Sequence, residues 1–265
     1  MANLPTTSQY IKHHLVNLQY DLVTGQFNAY KPGFWTLNLD TIAVSLICGL
    51  VFFSLFYYTA RRMTTSTPGR LQNFIECIVT FVDDQIFETF HIRNSRKIGS
   101  LGLTLFCWIF LMNFMDLVPV DLVPWTMTFF GVNYFKAVPT ADLNCTLALA
   151  ISVLLIVIGS SIYTKGVGGY INDLASHPFP KSMFFINIPF RIVEELSKTA
   201  SLAMRLFGNI YAGELIFILI AISPIYLQWL FGGVWLAFHL FVITLQAFIF
   251  MILTIIYLSI ATQEH

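Results

Sequence analysis

Apolar residues in this chain come in long runs, most of them too long for strands. Residues 41–60 carry no charge at all, and about 20 such residues are what a helix needs to cross a bilayer core of about 30 Å. Residues 98–118 and 143–163 are two further runs of this kind, with Asp116 the one charge in either. The last part of the chain is different in scale. Pro189 suits a helix start, and no other proline follows until the Ser223-Pro224 turn. Helix over that stretch would be about 50 Å long, and residues 225–261 would give one longer still. Ordinary spans tilt by about 20°. These two are predicted to lie far more obliquely, as an antiparallel hairpin joined at Pro224. Gly232-Gly233 is the place where the second of them can break.

Residues 71–90 follow another pattern. Glu76, Asp83, Asp84 and Glu88 fall within a sector of about 140° on a helical wheel. Phe74, Ile75, Ile78, Val82 and Ile86 lie on the other side, with Phe87 as the exception. This predicts an amphipathic helix lying in the membrane interface. A helix packed in the bundle with its acids in water has the same pattern, and both readings stay open.

Composition agrees with the runs. Hydrophobic residues make up 57% and charged residues 11%, where a soluble domain has about 25% charged. The fold class is therefore an all-α integral membrane protein with five crossings. Residues 1–40 are expected as an extracytoplasmic segment without a cleavable signal pattern, and residues 41–265 as one polytopic domain. Arg61, Arg62 and Arg70 follow the first run, and Arg93, Arg96, Lys97, Lys165 and Lys181 fall on the same side. By the positive-inside rule that side is cytoplasmic, which puts the N-terminus outside and the C-terminus inside. A formal net charge of zero gives no footprint for nucleic acid. Cys48, Cys77, Cys107 and Cys145 lack metal-type spacing, and His13, His14, His91, His177 and His265 lack ligand spacing. No metal or cofactor is expected.

The hairpin carries the unusual chemistry. Ionisable residues inside a span are rare and usually functional, yet Arg205 and Glu214 stand in one predicted helix. Nine residues separate them, which is about 180° around the helix, so they face different partners. Ser201, Gly208, Asn209 and Ala212 share the Arg205 side. Small residues there let another helix approach closely, most plausibly one bearing a carboxylate. In the second helix His239 and Gln246 are seven apart and share a face. His239 and Glu214 can carry protons, whereas Arg205 is a permanent charge. Asn113, Asp116, Asp121 and Asp142 sit at the outer ends. They either line an aqueous access or cap loops. A self-contained channel and a purely structural scaffold are the other classes, but the small-residue stripe suggests one wall of a shared pathway.

The stretches "SLAMRLFGNIYAGELI" and "FHLFVITLQAFIFMILTIIYLSIA", with "FLMNFMDLVPVDLVP" and "VPTADLNCTLALA" before them, resemble the subunit a family of bacterial F-type ATP synthases. The resemblance covers most of the chain from about residue 40. It implies a proton-translocating stator subunit in the bacterial inner membrane, and no nucleotide site of its own. Its partners would be a ring of c subunits, each with a buried carboxylate, the b-subunit peripheral stalk and membrane lipid. The family's essential arginine matches Arg205. The outer half-channel Glu and His match Glu214 and His239, and Gln246, Asn209, Asn113, Asp116 and Asp121 match its other polar positions. Many relatives have proline shortly before the arginine, where this chain has Thr199. An unbroken helix is expected here.

Overall fold

The computed structural model describes residues 16–23, 25, 35–64, 67–90, 96–119, 122–129, 135–176 and 183–262. A short ribbon opens it: β1 (Gln19–Asp21) pairs antiparallel with β2 (Thr36–Asn38), Tyr20 opposite Leu37. The helices that follow are α1 (Leu39–Arg61), α2 (Arg70–Phe90), α3 (Arg96–Phe114), the short α4 (Leu122–Thr128), α5 (Leu143–Ser176), α6 (Phe184–Ile222) and α7 (Ile225–Thr262). Single 3-10 turns cover Met115–Leu117 and Pro139–Ala141. Among the described residues five helices are long and apolar enough to cross a membrane, and α2 is not one of them.

The long hairpin is built by its turn. Pro224 has no N–H and disfavours helical geometry at the residue before it, so α6 stops at Ile222 and α7 starts at Ile225. Gln228 satisfies two carbonyls left over at the end of α6. Its Nε2 donates to Ala221 O at 2.9 Å and to Ser223 O at 2.7 Å. The two helices then pack side by side. Phe217 meets Trp235 edge-on, and Asn209 reaches Gln246. With 39 and 38 residues, each is nearly twice the length that a core of about 30 Å requires.

Two boundaries differ from the expectation, at the start of α6 and the end of α5, while α7 is continuous as expected. α6 begins at Phe184 and Pro189 lies inside it. The proline nitrogen falls beyond the first four N–H groups, which have no intrahelical acceptor, so the proline removes one backbone bond and its ring crowds the carbonyl four residues back. α7 runs unbroken through Gly232-Gly233. α5 continues past residue 163 to Ser176, across a kink where Gly166 takes φ 72° and ψ 164°. The left-handed φ costs glycine little.

The chain divides into two compact units. One comprises the described parts of 1–62, 107–145 and 207–247, the other those of 63–106, 146–206 and 248–265. In the first, the indole N–H of Trp108 donates to Ser45 O at 2.9 Å, and its ring covers Gly49. In the second, the apolar stripe of α2 supplies Val82 and Ile86, which pack on Met251 and Ile255 of α7. Gly102 of α3 lets that contact close, since a Cβ there would stand 3.3 Å from Val82 and 3.4 Å from Ile255. Asp83, Asp84 and Glu88 stay exposed on the opposite side of α2. Val82 and Ile86 of the apolar side are thus covered by protein, while Phe74 on the same side stays exposed.

Candidate functional site

The site is built in the first unit, from its loops inward. Asp40, in the first turn of α1, is fully buried. It accepts the backbone N–H groups of Leu18 (3.0 Å), Lys136 (3.0 Å) and Thr41 (2.8 Å). Asp142 caps α5 through the N–H of Asn144 at 3.0 Å and also accepts from Asn38 Nδ2 (2.6 Å) and Thr41 Oγ1 (3.2 Å). Its bond to Asn144 is that of a helix cap. Together the two carboxylates clamp residues 136–142 against the ribbon and α1.

That clamp directs Lys136 inward. Its Nζ donates to Ala141 O at 3.1 Å and lies 3.1 Å from Glu214 Oε2, with both side chains buried. The ring of Tyr211, on α6, stands 5.5 Å from the same ammonium. Glu214 therefore has its countercharge in a loop lysine, which sequence reasoning passed over. The signal available was the single basic residue in a proline-rich acidic loop, and a loop position says nothing about direction.

His239 is 1% exposed. Its Nε2 lies 2.6 Å from Asp116 Oδ2, a distance suited to a charge-assisted hydrogen bond. Trp235 stacks beside the imidazole and Phe217 meets it edge-on. On the α6 side the ring rests directly on Gly213, the neighbour of Glu214 in the chain. So the structure brings the His239–Asp116 pair against the turn of α6 that carries the Glu214–Lys136 pair. Asn113 is also fully buried, and its amide nitrogen lies 3.5 Å from Ile243 O. Asp121 lies outside the described residues.

Further along the hairpin Asn209 Nδ2 donates to Gln246 Oε1 at 2.8 Å. Arg205, one turn before Asn209 on α6, is exposed, as are Ser201, Gly208, Asn209 and Ala212. Glu214 is buried, so arginine and glutamate do face different surroundings, as their spacing requires. α6 is unbroken at Thr199, whose Oγ1 bonds back to Glu195 O at 2.9 Å. Among the described residues no three His, Cys, Asp or Glu side chains gather as metal ligands.

Five membrane-length helices, with buried acids paired to a lysine and a histidine, define a polytopic membrane protein equipped to handle charge inside an apolar layer. Comparison with known proteins gives the family. Residues 42–259 match the model of the ATP synthase A chain. The chain is 46% identical to ATP synthase subunit a of Halorhodospira halophila, with 97% of each chain covered. It is 47% identical to that of a Marinomonas species and 49% identical to that of Alkalilimnicola ehrlichii, with 98% of each chain covered in both cases. The chain belongs to the ATP synthase A chain family. It is thus a multi-pass, non-catalytic membrane component of the F0 part of a bacterial F-type ATP synthase, and acts as the proton-channel stator subunit.

Proposed function

We propose that protons enter beside Glu214 and His239 from the outer side, pass to a carboxylate on a rotating c ring, and leave on the cytoplasmic side through a second half-channel. Arg205 separates the two paths. Once protonated, the ring carboxyl is neutral, and its desolvation cost on turning toward lipid falls away. When it returns ionised it meets the arginine, whose fixed charge stabilises it and repels a proton attempting to cross directly. Asn209 and Gln246 hold the hairpin together beside that meeting point. Asn113 and Asp116 line the outer path. A b-subunit stalk keeps the chain from turning with the ring, and lipid surrounds the rest. One charge falling through 100 mV supplies about 2.3 kcal/mol toward rotation.

One observation carries this reading: α6 presents Arg205 on an exposed face flanked by small residues, while Glu214, on the same helix, is buried with a basic partner. A scaffold has no use for that division. The small side chains at Ser201, Gly208 and Ala212 leave room for a partner helix. The buried Oδ1 of Asn113 and indole N–H of Trp235 make no hydrogen bond, which suits a path that carries water.

The test is made in inverted vesicles carrying the whole complex. Arg205→Ala should abolish ATP-driven acidification and, with the catalytic head removed, let protons leak passively. Arg205→Lys should also fail to pump, because an ammonium lacks the planar fork that holds a passing carboxylate, but it should leak less, since it keeps a positive charge. Acidification near the wild-type rate in Arg205→Ala would remove the separator role.

A further inference from the structure

We propose that Lys136 is a positioning residue of the proton path: its ammonium is the fixed countercharge that holds Glu214 ionised and ready to receive a proton. The inference rests on the reading of Glu214 as a proton carrier.

Lysine is seldom buried, and a buried ammonium needs partners. Lys136 is 5% exposed, and three separate contacts fix it. Asp40 takes its backbone N–H, Ala141 O takes one ammonium proton, and Glu214 Oε2 faces the same nitrogen. Because Ala141 O is a backbone group of the same loop, the ammonium stays in place whatever Glu214 does. The site therefore holds a positive charge that does not travel with the proton.

Charge counting shows what it is for. Among the described residues Lys136 faces Glu214 from the loop, Tyr211 stands beside the same ammonium, and the Asp116–His239 pair packs against the neighbouring Gly213. Asp40 and Asp142 stand behind the loop, each fixed by several donors. The Lys136 ammonium balances the Glu214 carboxylate, and a proton that arrives at Glu214 and leaves it again changes the charge of the pair by one unit each way. Without Lys136 the buried carboxylate has lost this countercharge and holds its proton against release, since an opposite charge nearby favours the ionised form.

The experiment measures passive proton flux through head-stripped vesicles, and ATP-driven acidification with the head in place, from acid to alkaline pH. In Lys136→Met, flux should fall about tenfold at the acid end, where the carboxylate now holds its proton, and approach wild type as pH rises. Lys136→Arg should restore the shape of the profile. Lys136→Met combined with Glu214→Gln should be no worse than Glu214→Gln alone, because the pair acts as one unit. If the methionine variant does not accumulate in the membrane, Lys136→Gln gives the same reading, as it keeps a donor without charge. A Lys136→Met or Lys136→Gln profile parallel to wild type, or losses that multiply in the double variant, would overturn the proposal while leaving Glu214 as carrier. Wild-type flux and profile in Glu214→Gln would overturn the carrier reading and this inference with it.

Discussion

Gly213 shows how much a single residue can decide here. In an open helix Gly→Ala stabilises by about 1 kcal/mol. At this position a Cβ would fall within the imidazole of His239, 2.8 Å from Nδ1 and 2.9 Å from Nε2. The ring would have to move, and its contact with Asp116 would go with it. Gly213→Ala should therefore cut ATP-driven acidification at least about tenfold, a loss of about 1.4 kcal/mol or more, against the sign of helix propensity. Gly159→Ala, with nothing within 4 Å of its would-be Cβ, should pump normally in the same vesicles. Residues of this kind are hard to find in a sequence. Arg205, Glu214, His239 and Gln246 stood out because polar groups in apolar runs are costly. Lys136 sat among loop residues where a lysine is unremarkable, and a glycine beside Glu214 carries no local signal of its own. Both matter through what the fold brings to them.

At the scale of elements, α2 and α3 meet through glycine. A Cβ at Gly102 would press on Val82 and Ile255, and overpacking of this sort costs about 1–3 kcal/mol. Gly102→Leu should reduce the amount of chain retained in the membrane and speed its proteolysis. Gly159→Leu should do neither. Most elements were legible in the sequence, since an apolar run of membrane length and a sector of acids are both local patterns. The hairpin was readable from the distance between prolines alone. What local pattern could not supply were the exceptions. Pro189 inside α6 goes against the local preference of proline for the first helical position. The β1–β2 ribbon comes from a mixed polar segment and is tied down by Asp40 and Asp142, whose partners lie far away in the chain.

For the whole molecule the open quantity is direction, which follows from the basic residues after α1. Val23 and Met63 are both exposed, and in the sequence one precedes α1 and the other follows it. In a background with the four native cysteines replaced, Val23→Cys should react with an impermeant thiol reagent from the outer side and Met63→Cys only from the cytoplasmic side. The reverse pattern would invert the topology. Asp40 adds a condition of a different kind, one of timing. Its Oδ1 accepts from the adjacent Thr41, but its Oδ2 accepts both from Leu18, already synthesised, and from Lys136, which is 96 residues further on. At about 5–20 residues per second the ribosome needs roughly 5–20 s to deliver that partner. During this interval α1 must stand in or beside the bilayer with an acid at its first turn that no loop yet covers. The newborn helix is thus complete in sequence long before it is complete in bonding, and whatever shelters that carboxylate in the meantime is water, lipid headgroup or the insertion machinery.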